Sequence, residues 1–303
     1  MPNNKKYRGV VVPTVTPVTK QQDLDEAGVE KLFALLYQYD VQPFIQGTTG
    51  EAPSLSLSVK KKFIDKASTL KKSGTHLYAG ISSNCYQESV ELAKYCGDHG
   101  VDVVVSTIPS YYALTESQTK KYFEQLADES PVPLIIYNIP ATTHVSLSLS
   151  VLDDLSFHPN IVGAKDSERS DERLEKSLQL WKDRKDFSHF TGWAARSAQA
   201  LIDGSDGIIP STGNLYPGIY HELLVAVLDG NQEKAFELQQ LSDQLGDIYQ
   251  GGRTLGESLS ALKHLMRDAG ICGPFVMHPL QDIDETSYQQ MISKLKTLQE
   301  KIS

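Results

Sequence analysis

The chain has 303 residues, 40% of them hydrophobic and 22% charged, with a formal net charge of −9. That composition suits a globular protein with a large buried core, and its acidity argues against nucleic acid or an anionic membrane as a partner. The polar start at residues 1–8 and the lack of any run of about 18 apolar residues predict neither a secretory signal nor a bilayer span.

Residues 9–16 (GVVVPTVT) are rich in β-branched side chains and predict a first strand, ended by Pro17. Val29, Leu32, Phe33 and Leu36 recur at helical spacing and predict a helix over 23–40. A short strand at 44–46 runs into Gly47-Thr48-Thr49-Gly50-Glu51, and 58–70 has a helical period. A third strand is expected at 76–82, a helix at 88–97, and a fourth strand at 101–107 leading to Tyr111 and Tyr112. Thr115 and Gln118 have the spacing of a capping box and open the next helix. A fifth strand at 133–137 ends in Asn138-Ile139-Pro140, and 150–156 supplies a short helix. Residues 161–164 form an apolar run of the kind buried on both faces of a parallel sheet, and the run stops at Lys165. Helices are predicted over 172–181 and 195–202, and strands over 187–192 and 207–210. Beyond about residue 216 the pieces 222–228, 232–249, 259–268 and 287–302 are all helical.

Strand and helix alternate eight times. This predicts an α/β fold, a closed (β/α)8 TIM barrel over residues 1–225 with a C-terminal helical extension, or subdomain, over 226–303. An open doubly wound sheet is the runner-up, and it would more often carry a glycine-rich first turn. Neither a GxGxxG fingerprint nor a Walker-type phosphate loop occurs. Cys85, Cys96 and Cys272 are far apart with no CxxC spacing, which predicts reduced thiols in a cytoplasmic protein. Cys96 and His99 stand three apart on a helix and read as packing residues, and no metal site is expected.

In such a barrel the active site lies at the C-terminal ends of the strands. Those positions hold Thr48 and Thr49 after the second strand, Tyr111 and Tyr112 after the fourth, and Tyr137 at the fifth. Lys165 ends the sixth and Gly192 the seventh. Ile209 lies in the eighth, with Ser211, Thr212, Gly213 and Asn214 after it. One amine among phenols and hydroxyls, with no cluster of histidines or carboxylates, points to carbonyl chemistry through an imine rather than metal-assisted hydrolysis. A lysine sealed in a cavity loses its charge more easily, and the neutral amine is the nucleophile an imine needs. Tyr137 is the expected proton carrier. A phenol titrates near ~10, so a hydroxyl such as Thr48 would relay the proton. The 47–50 turn is expected to aim backbone N–H groups at a carboxylate. Each feature has a plainer reading when taken singly. Lys165 would be a strand-end lysine reaching water, and the glycine-flanked segment a tight turn. Tyr111 and Tyr112 would be a packing pair, and Tyr137 a buried strand aromatic.

The segments Gly47-Thr48-Thr49-Gly50-Glu51, Tyr137-Asn138-Ile139-Pro140 and Gly163-Ala164-Lys165-Asp166, in that order and spacing, resemble the dihydrodipicolinate synthase / N-acetylneuraminate lyase superfamily over roughly residues 9–214. The resemblance implies a class I aldolase-type lyase using pyruvate as donor or product. It implies a homo-oligomer (dimer or homotetramer) with no metal or organic cofactor. Its catalytic residues would be Lys165 as Schiff-base lysine, Tyr137 as proton carrier, Thr48 as relay and Tyr111 lent across a subunit interface. Its substrate-binding set would be Thr48, Thr49, Thr142, Ser167, Gly192 and Ile209.

The synthases of that superfamily carry Tyr-Asn-x-Pro-x-Arg-Thr, and here Thr142 stands where the arginine would be, with neither its charge nor its bidentate fork. Asp166-Ser167 is more similar to the branch acting on 2-oxo-3-deoxy sugar acids. The expected reaction is therefore cleavage or formation of a carbon–carbon bond in a 2-oxo-3-deoxy sugar acid or N-acetylneuraminate. The alternative in the class is the 4-hydroxy-tetrahydrodipicolinate (dihydrodipicolinate) synthase reaction of pyruvate with aspartate semialdehyde. Trp193 and Arg196 are expected to reshape the pocket. Partners would be pyruvate and a small aldehyde or sugar acid. Two readings of other classes stay open. One is an isomerase holding a phosphorylated sugar at 207–213 (GIIPSTG), and the other is a barrel kept as a binding module.

Overall fold

The computed structural model describes residues 5–302, so residues 1–4 of the polar start and Ser303 lie outside the description. Eight parallel strands close into one barrel in sequence order. They are β1 Gly9–Pro13, β2 Gln42–Ile45, β3 Tyr78–Gly80, β4 Val103–Ser106, β5 Leu134–Asn138, β6 Ile161–Asp166, β7 Ser188–Thr191 and β8 Gly207–Ile208. Closure comes from β8 pairing with β1, Gly207 opposite Gly9 and Ile208 opposite Val10, which excludes the open sheet.

Side chains alternate in direction along each strand, and this fills the centre. Val11, Phe44, Tyr78, Val103, Val105, Ile135, Tyr137, Phe190 and Ile209 pack together inside the barrel. Val104, Leu134, Ile136 and Ala164 face outward into the layer of helices. That layer comprises α1 Glu26–Gln38, α2 Leu57–Leu70, α3 Tyr86–Asp98, α4 Glu116–Glu129, the single turn α5 Pro140–Thr143, α6 Leu149–Leu155, α7 Asp171–Trp181, α8 Ser197–Ile202 and α9 Pro217–Leu228. Their starts follow local chemistry. Asp25, Ser56, Ser148 and Ser170 each accept a backbone N–H at a helix N-terminus, and Thr115 with Gln118 forms the expected capping box.

Three further helices, α10 Gln232–Gln250, α11 Leu255–Asp268 and α12 Glu285–Ile302, form the C-terminal extension. Helix α9 runs across the boundary expected at residue 225. Leu238, Leu245, Leu262 and Met291 of the extension share one apolar cluster with Val10, Leu32 and Tyr220 of the barrel. None of the described helices is long and apolar enough to cross a membrane.

Two local expectations are corrected. Residues 14–16 are not strand. Thr14 N–H still donates to the Phe44 carbonyl of β2 at 2.9 Å, but the next two residues turn to other partners: Val15 N–H donates to Asn214 Oδ1 at 2.8 Å and Thr16 Oγ1 to the Gly50 carbonyl at 2.6 Å. β-branched composition does not separate a strand from a buried loop whose hydrogen bonds are supplied by neighbours. Helix α11 starts at Leu255, ahead of the expected residue 259, because Thr254 and Glu257 make a capping box.

Candidate active site

Lys165 is the fifth residue of β6, with Asp166 completing the strand. Its side chain turns into the barrel and is only 3% exposed. In parallel register it stands between Tyr137 of β5 and Phe190 of β7. Its Nζ lies 3.8 Å from the centroid of the Tyr137 ring and 5.1 Å from that of Phe44. Two opposing effects meet there. Ring faces attract the ammonium, whereas loss of water disfavours it. Burial is the larger effect and pulls the amine below the usual lysine range, with the neighbouring phenol working the other way.

Tyr137 is also buried. Burial alone would raise its phenol. The Lys165 charge and hydrogen bonds with Ser167, Thr48 and Lys165 together outweigh burial and bring it below the usual phenol range. Ser167 Oγ donates to Tyr137 Oη at 3.5 Å. The lowered phenol depends on a charged neighbour, so the two groups titrate as one unit. Gly192 makes this possible: a Cβ there would run into Ser167 Oγ and sit 3.1 Å from Lys165 Cε.

The turn after β2 stands at the same end of the barrel. Gly50 N–H donates to the Gly47 carbonyl, Glu51 N–H to that of Thr48 and Ala52 N–H to that of Gly47. The N–H groups of Thr48 and Thr49 meet no acceptor among the described residues. Thr16 Oγ1 fastens the turn through the Gly50 carbonyl, and a Cβ on Gly50 would sit 3.0 Å from the Thr14 carbonyl oxygen. Thr48 is half-buried and Thr49 buried.

Behind the strands a polar network locks β5 to β6. Asn138 Nδ2 donates to Asp166 Oδ1 at 2.9 Å and to Glu168 Oε2 at 3.0 Å, and Arg173 pairs with Asp166 at 2.6 Å. Asn138 and Asp166 directly follow Tyr137 and Lys165, so this outward ladder fixes the relative height of the two inward side chains.

The remaining expected residues fall into two groups. Ile209 is buried within the central apolar cluster beside Tyr137. Thr142 lies in α5, half-buried, its hydroxyl on the Ile139 carbonyl at 3.4 Å. Arg196 stacks 4.7 Å over the Trp193 ring while Asp171 holds its guanidinium at 2.6 and 3.0 Å, so the pair forms a rim rather than an unpartnered cation. Tyr111 does not join Lys165 in this chain. It is 78% exposed and packs edge-on against Tyr112, ring centroids 4.9 Å apart. In the 207–213 loop, the Ser211 and Thr212 hydroxyls are engaged by Tyr249 Oη of α10 at 2.8 and 3.1 Å. Phe44 was not foreseen as a neighbour of the amine, and the signal that finds it is strand alternation, which turns Phe44 inward and Ile45 outward.

The model of the dihydrodipicolinate synthetase family matches residues 6–298. The chain belongs to that family. An uncharacterized DapA-like lyase of Thermococcus kodakarensis is 32% identical over 291 residues, 95% of this chain and 98% of that protein. A dihydrodipicolinate synthase from Bacteroides thetaiotaomicron superposes with a TM-score of 0.91 at 29% identity, covering 97% of this chain and 99% of that one. YagE, a family member from E. coli K12 solved in complex with pyruvate, gives 0.92 at 26% identity with the same coverages. As a member of the dihydrodipicolinate synthetase family, the chain is a lyase on a (β/α)8 barrel.

Proposed function

We propose that the chain is a Schiff-base lyase that makes or breaks a carbon–carbon bond next to a pyruvate unit, acting on a 2-oxo-3-deoxy sugar acid or N-acetylneuraminate. The observation that carries this reading is the Lys165 amine, sealed in the barrel 3.8 Å over the Tyr137 ring. The pyruvate complex of YagE supports pyruvate as the oxo acid.

The neutral amine adds to the keto carbon, and water leaves to give an iminium. In the cleavage direction the hydroxyl proton on the distal carbon passes to the Tyr137 phenolate. The carbon–carbon bond breaks, and its electron pair moves toward the iminium, leaving an enamine and a free aldehyde. Tyr137 then returns the proton to the enamine carbon, and hydrolysis of the resulting iminium frees Lys165 and pyruvate. Thr48 relays the proton, and Tyr111, lent by a second copy in a homo-oligomer, extends the relay. The N–H groups of Thr48 and Thr49 receive the carboxylate. Ser167, Thr142, Gly192 and Ile209 border the rest of the substrate. A cytoplasmic site accords with three free thiols at Cys85, Cys96 and Cys272.

The synthase reaction with aspartate semialdehyde is the second reading, favoured by likeness to the Bacteroides thetaiotaomicron synthase. Against it, Thr142 has no charge for a second carboxylate, and the nearby Arg173 and Arg196 are engaged by Asp166 and Asp171. Borohydride with pyruvate is expected to leave a reduced adduct on Lys165, read by peptide mass spectrometry and abolished in Lys165→Ala. A folded protein that acquires no adduct refutes the mechanism. A pyruvate-release screen over sialic acid and 2-oxo-3-deoxy acids, beside condensation with aspartate semialdehyde, separates the two readings.

A further inference from the structure

The C-terminal extension reaches the mouth of the barrel at three loops. From α10, Gln239 accepts the Ala198 N–H at 2.9 Å and donates to the Ala194 carbonyl at 3.0 Å, beyond β7. Tyr249 holds Ser211 and Thr212 beyond β8. From α11, Lys263 forms an ion pair with Glu51, the residue that closes the turn after β2, and both side chains are fully buried. Glu51 Oε2 accepts the Met277 N–H at 2.6 Å, and Lys263 also donates to the Phe275 carbonyl at 2.8 Å. Glu51 Oε1 has no partner among the described residues except the Lys263 ammonium.

As a means of holding a helix to a barrel this pair is inefficient. Desolvation offsets much of its attraction, and apolar residues of similar volume often do as well. What it adds is direction. Glu51 has φ +57°, and so does Gln46 at the other end of the turn. Side-chain-bearing residues adopt that left-handed region under strain and keep it when their surroundings hold them there. Held at these two posts, the turn spends its Gly50 and Glu51 N–H groups, and that of Ala52 just beyond it, internally and leaves those of Thr48 and Thr49 for something else.

We propose that Lys263 is a positioning residue, which through Glu51 fixes the turn that receives the substrate carboxylate. The proposal rests on the pyruvate reading above and assigns to the extension a part in the site. Lys263→Met alone strands a buried carboxylate and is expected to unfold the chain in part. The informative variant is therefore the double one, Glu51→Gln with Lys263→Met, which keeps the volumes and removes both charges.

Borohydride trapping at Lys165 is titrated with pyruvate and, separately, with hydroxyacetone, a ketone of similar size without the carboxylate. In the double variant the half-saturating pyruvate concentration is expected to rise about tenfold or more, as loss of a fixed N–H pair for an anion requires. Half-saturation by hydroxyacetone should stay within about twofold of the native protein, because no cradle contact is lost. Equal shifts for the two ketones, or no shift for pyruvate, overturn the positioning role and leave the pyruvate reading intact. A native chain that traps hydroxyacetone but no pyruvate overturns both. If the double variant does not fold, Glu51→Asp keeps the charge and withdraws it by one methylene, and the same pattern is expected of it.

Discussion

Lys165 and Tyr137 share one buried space, and each alters what the other can do. Desolvation favours the neutral amine, and while the amine is charged it favours the phenolate. The rate of adduct formation should therefore rise with pH and level off below the ordinary lysine value of about 10.4, read from the pH profile of trapping with pyruvate. Tyr137→Phe keeps a ring under the amine but removes the proposed proton carrier. Turnover is expected to fall by about 10²–10⁴, while borohydride still labels Lys165, and steady-state rates beside adduct yield check the split. That Lys165, Tyr137 and Thr48 meet at one end of the barrel was legible in the sequence, because strand ends in a closed barrel converge whatever their distance along the chain. Phe44 was not, since its direction depends on register within a four-residue strand. Nor was the fate of Thr142, which sits in a single helical turn starting at Pro140 that no periodicity announces.

Among the elements, β7 carries a second buried titratable group. His189 lies with Nε2 3.2 Å from Ser177 of α7 and Nδ1 3.0 Å from Ser205, its ring stacked against Trp181. Burial, with lesser contributions from Lys5 and Arg173, pushes its pKa down to about 3. The unfolded chain takes up that proton near the ordinary histidine value of about 6.5, whereas the folded one resists to about 3. Stability from this group is thus whole above about pH 6.5 and drains away as pH falls. Between pH 7 and 5 the loss should be about 2 kcal/mol, measured by urea unfolding, and His189→Asn should flatten that slope. The strand itself was readable as 187–192 from its composition. Its internal histidine was not readable as neutral, because neutrality comes from a helix and a loop that meet only in the fold.

Across the whole molecule, the alternation of strand and helix was enough to give the barrel, and helical periodicity was enough to give the extension. How the two are joined was not visible. Contacts such as Glu51 with Lys263, or Gln239 with Ala198, connect residues whose separation in sequence carries no signal. A fragment ending at residue 225 would uncover Val10, Leu32 and Tyr220, which now share a core with α10, α11 and α12. It is expected to precipitate or to lack a cooperative melt, assayed by solubility and circular dichroism. A soluble fragment with a sharp transition would mean that the two parts fold independently.

The seam of the barrel has a consequence for biosynthesis. Its sealing strand, β8, supplies two residues and pairs with β1, the first of the described strands. A ribosome making this protein must therefore extrude seven strands with two raw edges open before the ring can shut. Such edges are templates for neighbouring chains, and distant pairings form slowly. Yield in the cell should accordingly depend on how crowded the nascent chains are and on holdase capacity, more than on the final stability of the closed ring.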